Sequence, residues 1–442
     1  MDGEAAPTKV IHDTVHGPIP LSGLALRLLE APQLQRLSSV RQLGLAYLVW
    51  PGANHTRLEH SLGASYTARR IAEAVRAETH EGRLVEAAAL LHDVGHWPFS
   101  HTLESLMADR FGTDHQEISR MLILEEGPFR WGSGPGLAAI IESAGLSPQD
   151  VADLVSTPPA PGTLSSLYDF EGPAPPPPPP GGPRRPGVRP FLHQIVSGLC
   201  DADQMDYLRR DAHYTGVAMG MIDIHRLVHT AALAGGELCF DRSGLHAVEG
   251  LLVARDLMYS SVYFHRTARI AETMLERAVD ELTDDELRPV SQMTDGELLG
   301  ALAAKGGAAA GLARRLKFRQ LYKRALQVNF DELDPEGLRK VERLTGFDAR
   351  RRAQREVEAA TGLAAGSVIV DVPPKPLFSP GGKTSLSGLQ ILDDGKPRPI
   401  ADLSPLARSL TSRRMFDWAL LVSAPAEHRE RVAAAARRAL LG

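Results

Sequence analysis

Apolar residues in this chain recur mostly at three- and four-residue intervals, the period that builds one buried face on a helix. That pattern predicts helices over residues 22–30, 33–42, 57–77, 83–93, 101–110, 115–124, 137–144, 148–154, 192–213, 245–281, 294–303, 309–326 and 335–344, with a last one over 426–441. Thr294 and Glu297 have the spacing of a capping box, in which hydroxyl and carboxylate satisfy orphan backbone N–H groups at a helix start. Strand patterns are few and short: Glu237 to Phe240, Ser367 to Val372 and Trp418 to Val422. The expectation is a mainly α protein.

Residues 157–190 break the pattern. They contain the proline run Pro175 to Pro180, then Gly-Gly-Pro-Arg-Arg-Pro. Such a stretch lacks the donors and the backbone freedom that helix and sheet require. We read it as a Pro-rich disordered insertion of polyproline character, a solvated spacer rather than a docking motif. It divides a helical core into a first part, residues 1–156, and a second, residues 191–285. Residues 286–442 mix helical and strand patterns and are expected to form a smaller α+β lobe.

With 442 residues the chain can bury a large core. Its net charge of −5, from 49 basic and 54 acidic residues, does not favour a nucleic-acid binder; a local basic groove is the route left to nucleic acid. Two cysteines, Cys200 and Cys239, exclude a disulfide framework and a cysteine-rich zinc cluster. The start lacks the apolar stretch of a signal peptide, and no apolar run approaches the roughly 18 residues of a membrane helix. The reading is a cytoplasmic chain with no membrane partner.

The candidate chemistry is concentrated between His92 and His101, where His92, Asp93, His96 and His101 follow the Ala/Leu-rich run Leu84 to Leu91. Imidazoles with a carboxylate suit zinc, iron, manganese or nickel, and a helix carboxyl end favours a cation. A second His-Asp pair, His12-Asp13, has no helical pattern beneath it and is read as a loop or turn. Arg57 and His60 are three apart, so on a helix they share a face and set a ligand beside a guanidinium able to grip phosphate. Asp203, Tyr207 and Asp211 are spaced by four, which lines up carboxylate, aromatic ring and carboxylate for an ion, a sugar ring and a sugar hydroxyl. Singly, each has a plainer reading: a histidine packed in a core, or Asp203 or Asp206 paired with Arg209 or Arg210. The joint pattern points to a metal-assisted hydrolase.

These residues lie in stretches that resemble the HD-domain phosphohydrolases, most of all the branch holding bacterial dNTP triphosphohydrolases and the vertebrate SAM- and HD-domain dNTPase. The stretches are PQLQRLSSVRQLGLAYLVWPGANHTRLEHSLG (32–63), LLHDVGHWPFSHTLE (90–104), DADQMDYLRRDAHYTGV (201–217) and VIVDV (368–372), in the family's order. The resemblance implies a helical HD core with a smaller mixed lobe. It implies one divalent ion (Mn, Fe, Zn, Co, Ni or Mg) held by His60, His92, Asp93 and Asp203, with Arg57 on the adjacent phosphate. His96 and His115 match the catalytic histidines, and His101 a phosphate contact. Gln42 and Asp211 match residues on the sugar 3′-hydroxyl, Leu43 and Tyr207 those crowding a 2′-hydroxyl, and Arg255 a distal phosphate contact. The implied reaction releases deoxynucleoside and intact triphosphate from a nucleotide substrate, and the implied assembly is a homo-oligomer, a dimer or larger.

The chain also departs from the family. Gln204 stands where a basic residue contacts the phosphate tail, and Gln116 where an acid accompanies the catalytic histidine, leaving Glu117 and Glu104 as stand-ins. Lys9, Val10, Glu30 and Arg319 match part of a regulatory nucleotide pocket, but Ser38 replaces its arginine. Gly381 to Ser385 imitates a phosphate loop, yet Leu377 occupies the place of its first glycine. The basic stretch Arg314 to Arg324 is read as a solvated face. Gln204 supports an alternative enzyme acting on nucleoside monophosphates or another phosphoester. Gln116 and the proline stretch support a degenerate HD protein that regulates or binds nucleic acid.

Overall fold

The computed structural model describes residues 9–126, 129, 131, 134–156, 188–372, 386–411 and 418–442. Most of the Pro-rich stretch and the phosphate-loop imitation at Gly381 to Ser385 lie outside them. The molecule is mainly helical, with a smaller mixed α/β lobe. Its centre is formed by the helices Arg57–Ala74, Thr79–Leu91 and Ala202–Thr215. Small buried residues on the first two, Ala64, Ser65, Ala68, Ala87 and Ala88, let the backbones approach closely. Thr56 and Glu59 close a capping box at the first helix, which fixes its start one residue before Arg57.

Several predicted helices are interrupted where local chemistry competes. The stretch 192–213 is two helices, Pro190–Val196 and Ala202–Thr215. The Asp201 carboxylate accepts the N–H groups of Gly198 at 2.6 Å and Gln204 at 2.7 Å, ending one turn and starting the next helix. The stretch 245–281 is Leu245–Met258, a π-helical turn Tyr259–Tyr263, and Arg266–Val279. The stretch 33–42 ends early, as Pro32–Arg36 followed by a 3-10 turn, Leu37–Ser39. The stretch 309–326 is helical only as Gly307–Lys317; Arg319 then takes a positive φ and the chain becomes the strand Lys323–Asn329.

The pair His12-Asp13 ends a strand rather than lying in a loop. Lys9–Asp13 pairs antiparallel with Gly17–Leu21, with Asp13 opposite Gly17. A second sheet orders Ala231–Ala234, Glu237–Asp241, Gln390–Asp393 and Lys396–Pro399, with its middle pair parallel. In the third, Trp418–Ala424 is central, flanked antiparallel by Lys323–Asn329 and Ile369–Asp371. All seven residues of that central strand are buried, which is why it reads as an unbroken apolar run.

Two apolar clusters result among the described residues. The smaller joins Leu326, Val328, Val357, Val370, Leu420, Val422 and Val432 in the C-terminal lobe. The larger spans the rest and includes Leu287, Val290, Leu298, Leu302, Leu312 and Leu316, so the chain between 286 and 325 packs onto the helical core. No helix among the described residues is long and apolar enough to cross a membrane.

The expected capping box is present: Thr294 N–H reaches Glu297 Oε2 at 2.7 Å, ahead of the helix Asp295–Lys305. Thr294→Ala should cost about 1 kcal/mol and lower Tm by about 1–2 °C. Thermal melts check this; an unchanged Tm would remove the cap from the account.

Candidate metal centre

His60 lies one turn into the helix Arg57–Ala74, His92 caps the end of Thr79–Leu91, Asp93 follows it, and Asp203 sits in the first turn of Ala202–Thr215. Three helix termini thus deliver the four side chains to one point. His60 Nε2 is 3.3 Å from His92 Nε2 and 2.9 Å from Asp203 Oδ1. His92 Nε2 is 3.6 Å from Asp203 Oδ1 and 3.2 Å from Asp93 Oδ1, whose other oxygen is 3.7 Å from His60 Nε2.

The tautomers follow from the partners. His60 Nδ1 faces Asp206 Oδ2 at 2.7 Å and His92 Nδ1 faces the Ala89 carbonyl at 2.8 Å. Both partners only accept, so both Nδ1 atoms carry hydrogen and both Nε2 lone pairs point at each other, beside two carboxylates. Four electron-rich atoms gathered at the foot of a cleft, two of them on half-buried side chains, call for a cation, and the donor set fits a divalent metal ion. Burial disfavours charge on His60, but Asp203 and Asp206 overcome it and push the ring up to about 10, so a proton and a metal ion compete for the same Nε2 lone pair. Burial likewise opposes ionisation of Asp203, yet His60 and His92 hold it below the usual carboxylate range.

Arg57 closes one side. Its Nη1 donates to Asp93 Oδ2 and its Nε to Ser100 Oγ at 2.7 Å, while Nη2 is buried at the cavity with no hydrogen-bond partner. Burial opposes the Asp93 charge, but Arg57, His92 and His96 hold it well below the usual range. Phe99 and Ser100 both take left-handed φ, 57° and 59°, a strained backbone for residues with side chains. Asp295 holds that bend, accepting Phe99 N–H at 2.7 Å through one oxygen and Arg41 N–H at 3.1 Å through the other.

A second group lies beside the first. His96 and His115 stack with centroids 4.0 Å apart and planes 15° apart, and His101 meets His96 edge-on at 4.5 Å. Glu104 takes His115 Nδ1 on one oxygen and His101 Nδ1, at 2.8 Å, on the other. Nearly parallel rings send their in-plane lone pairs side by side rather than to one point, so this trio suits proton transfer better than coordination. Burial, the Arg57 charge and His115 keep His96 well below its ordinary value. Burial would lower His115 too, but Glu104 raises it. The two rings are therefore pushed in opposite directions, His96 toward the neutral form and His115 toward the protonated one. Glu104 is also the acid that Gln116 fails to supply; Gln116 merely lines the cavity.

A cleft partly open to solvent, with about 630 Å³ of space between protein atoms and open water, lies over both groups. Of the residues singled out in the sequence, Gln42, Leu43, Arg57, His92, Asp93, His96, His101, His115, Asp203, Tyr207 and Asp211 line it. His60 sits just beneath. Arg255 does not reach the wall; it is buried, close enough to Asp201 and Cys200 for its charge to act on both. Gln204 is turned away, its amide donating to the Gly198 carbonyl at 2.7 Å. Sequence reading missed Tyr263, whose hydroxyl donates to Asp211 Oδ2 at 2.6 Å, and His55, whose Nε2 meets Asp211 Oδ1 at 2.7 Å. Tyr263 lay inside an expected straight helix. His55 had only its nearness to Arg57 to mark it.

Comparison with known proteins gives the family. Residues 57–156 match the HD domain, and residues 222–441 match the HD associated region. This chain belongs to the HD-domain phosphohydrolases. An uncharacterised protein of Methanocaldococcus jannaschii is 31% identical over 427 residues, covering 95% of this chain and 80% of that one. The human deoxynucleoside triphosphate triphosphohydrolase SAMHD1 is 26% identical over 358 residues, 71% of this chain and 54% of that protein. A phosphohydrolase from Bacteroides thetaiotaomicron superposes with a TM-score of 0.66 at 26% identity, covering 94% of this chain and 99% of its own.

One glycine of this HD-domain chain is demanded by the site. A Cβ on Gly63, inside the helix Arg57–Ala74, would lie 1.9 Å from Asp206 Oδ1 and 2.4 Å from Arg210 Nη2. Replacing an interior helical glycine by alanine ordinarily stabilises by about 1 kcal/mol. Here the sign should reverse: Gly63→Ala should lower Tm and weaken binding of Mn(II), measured by calorimetry. A more stable variant with intact metal affinity would contradict the packing described.

Proposed function

We propose that this chain is a metal-dependent dNTP triphosphohydrolase, converting a deoxynucleoside triphosphate to deoxynucleoside and inorganic triphosphate. The observation that carries the reading is the joining, in one cleft, of a four-donor cage and a wall of Gln42, Leu43, Tyr207 and Asp211. The likeness to SAMHD1 supports it at the level of a relative that this chain spans by about half.

A divalent ion held by His60, His92, Asp93 and Asp203 supplies charge neutralisation and Lewis acidity at the α-phosphate. The protein groups divide the remaining work. Arg57 Nη2 donates to a phosphate oxygen, and His101 flanks the phosphates. His96, kept neutral, accepts the proton of the attacking water. His115, kept protonated by Glu104, gives its proton to the departing 5′-oxygen. The bulk of Leu43 and Tyr207 excludes a 2′-hydroxyl, while Asp211 accepts the 3′-hydroxyl proton and the Gln42 side-chain amide donates to its oxygen. Arg255 acts from behind the wall rather than on the phosphate tail.

A second reading, hydrolysis of a nucleoside monophosphate or another phosphoester, is favoured by Gln204, which leaves its position without a cation and faces Gly198. The meeting of four intact donors speaks against a degenerate regulatory site. Incubation with Mn, Co or Mg and each dNTP, followed by separation of products, decides between the enzymes. Intact triphosphate is expected; orthophosphate from monophosphates would favour the second reading. His92→Ala should abolish turnover while circular dichroism stays unchanged, and a fully active variant would refute the site.

The rate should also fall as pH rises through the raised titration of His115, because the protonated ring is the proton donor. Removing the Glu104 anion removes the cause of that raising. In Glu104→Gln the alkaline limb of the pH–rate profile should therefore move to lower pH, and an unmoved limb would take His115 out of the acid role.

A further inference from the structure

Asp206 stands outside the donor cage, yet it aims one of its rings. Its side chain is fully buried and its acceptor positions are all in use. Oδ2 takes His60 Nδ1 at 2.7 Å and Arg210 Nε at 2.9 Å; Oδ1 takes Arg210 Nη2 at 3.0 Å and His16 Nε2 at 2.6 Å. Arg210 Nη1 in turn donates to Asp13 Oδ2 at 2.8 Å. The other Asp13 oxygen takes the N–H groups of Val15 and His16, both at 2.8 Å, which shapes the turn between the strands. A second thread leaves the same turn. Thr14 Oγ1 lies 2.9 Å from the Tyr214 hydroxyl, and the Tyr214 ring stacks on His55, the partner of Asp211.

A two-stranded hairpin is marginal by itself. This one is docked by buried polar bonds that end at a metal-facing ring, with His16 only 2% exposed. Because Asp206 accepts only, His60 must keep hydrogen on Nδ1 and present its Nε2 lone pair to the cage. The carboxylate can hold that direction only while its own position is held from the far side, by His16 and by Arg210 anchored on Asp13.

We propose that the Lys9–Leu21 hairpin is part of the metal-holding apparatus: His16, through Asp206, is a positioning residue for His60, and ion binding and hairpin docking are coupled. The inference rests on the metal reading above. The coupling is reciprocal, since whatever stabilises the docked hairpin stabilises the loaded cage by the same free energy, and conversely.

The test uses the full chain. Mn(II) affinity and stoichiometry are measured by calorimetry for wild type, His16→Phe, His16→Gln, Asp13→Ala and, as control, His12→Ala, whose side chain is exposed on the same strand. His16→Phe keeps an aromatic ring against Tyr66 but loses the donor; it should bind Mn(II) about tenfold or more weakly and shift the visible band of the Co(II)-loaded protein. His16→Gln, which still offers an N–H, should recover affinity, and His12→Ala should match wild type. Hydrogen exchange of the hairpin amides should slow when wild type is loaded with Mn(II), and less so in His16→Phe. Wild-type affinity in folded His16→Phe overturns the inference, as does wild-type affinity in Asp13→Ala should the phenylalanine variant fail to fold. A wild-type protein that binds no divalent ion overturns the metal reading itself, and this inference with it.

Discussion

Two imidazoles whose Nε2 atoms confront each other at 3.3 Å, flanked by the buried Asp93 and the half-buried Asp203, form the constraint on which the rest of the molecule depends. Such a group is repulsive unless positive charge enters it, and burying it in a low-dielectric interior raises the stakes of that balance. Arg57 meets part of the demand from one side by pairing with Asp93. Every other feature of the centre either holds a donor in place or keeps a neighbouring charge from disturbing the balance.

The fold answers with rigid supports. Each ligand side chain is at or near a helix end, where backbone groups are free to orient it, as the Ala89 carbonyl does for His92. The helices carrying His60 and Asp203 must lie close enough for Asp206 and Arg210 to pack under Gly63. Beside the ion pocket, Glu104 divides its two oxygens between His101 and His115 and so separates the protonation of His115 from that of stacked His96. The stacked histidines and the four-donor group thus lie side by side, each with its own anion.

How much of this could be read in advance depended on periodicity. The helix Arg57–Ala74 showed both its apolar spacing and its cap, and the four cage residues sit in dense polar motifs within an apolar background, so they stood out. The helix Phe347–Thr361 did not, because Arg350, Gln354, Glu358 and Thr361 share its buried face with Phe347, Ala353 and Val357. The strand Lys323–Asn329 was read as a continuation of a helix because its flanking arginines and leucines suit both periods. His12-Asp13 was taken for a turn because a short hairpin with polar ends carries little apolar signal. The local pairing of Asp206 with Arg210 was legible, but its bonds to His60 and His16, 146 and 190 residues away in sequence, are ones that no local spacing encodes. Tyr263 was hidden by the π-helical turn, which rotates it off the face a straight helix would have given it.

The Asp295 carboxylate carries a consequence for the shape of the cleft. One of its oxygens binds the backbone of Arg41, which leads into Gln42 and Leu43 on one wall of the cleft. The other binds the backbone of Phe99, which leads into Ser100 and His101 on another wall. Neither wall can drift without breaking a bond to the same small group. The separation between the two halves of the cleft is thus gauged by the span of a single carboxylate, a covalent dimension that thermal motion scarcely alters.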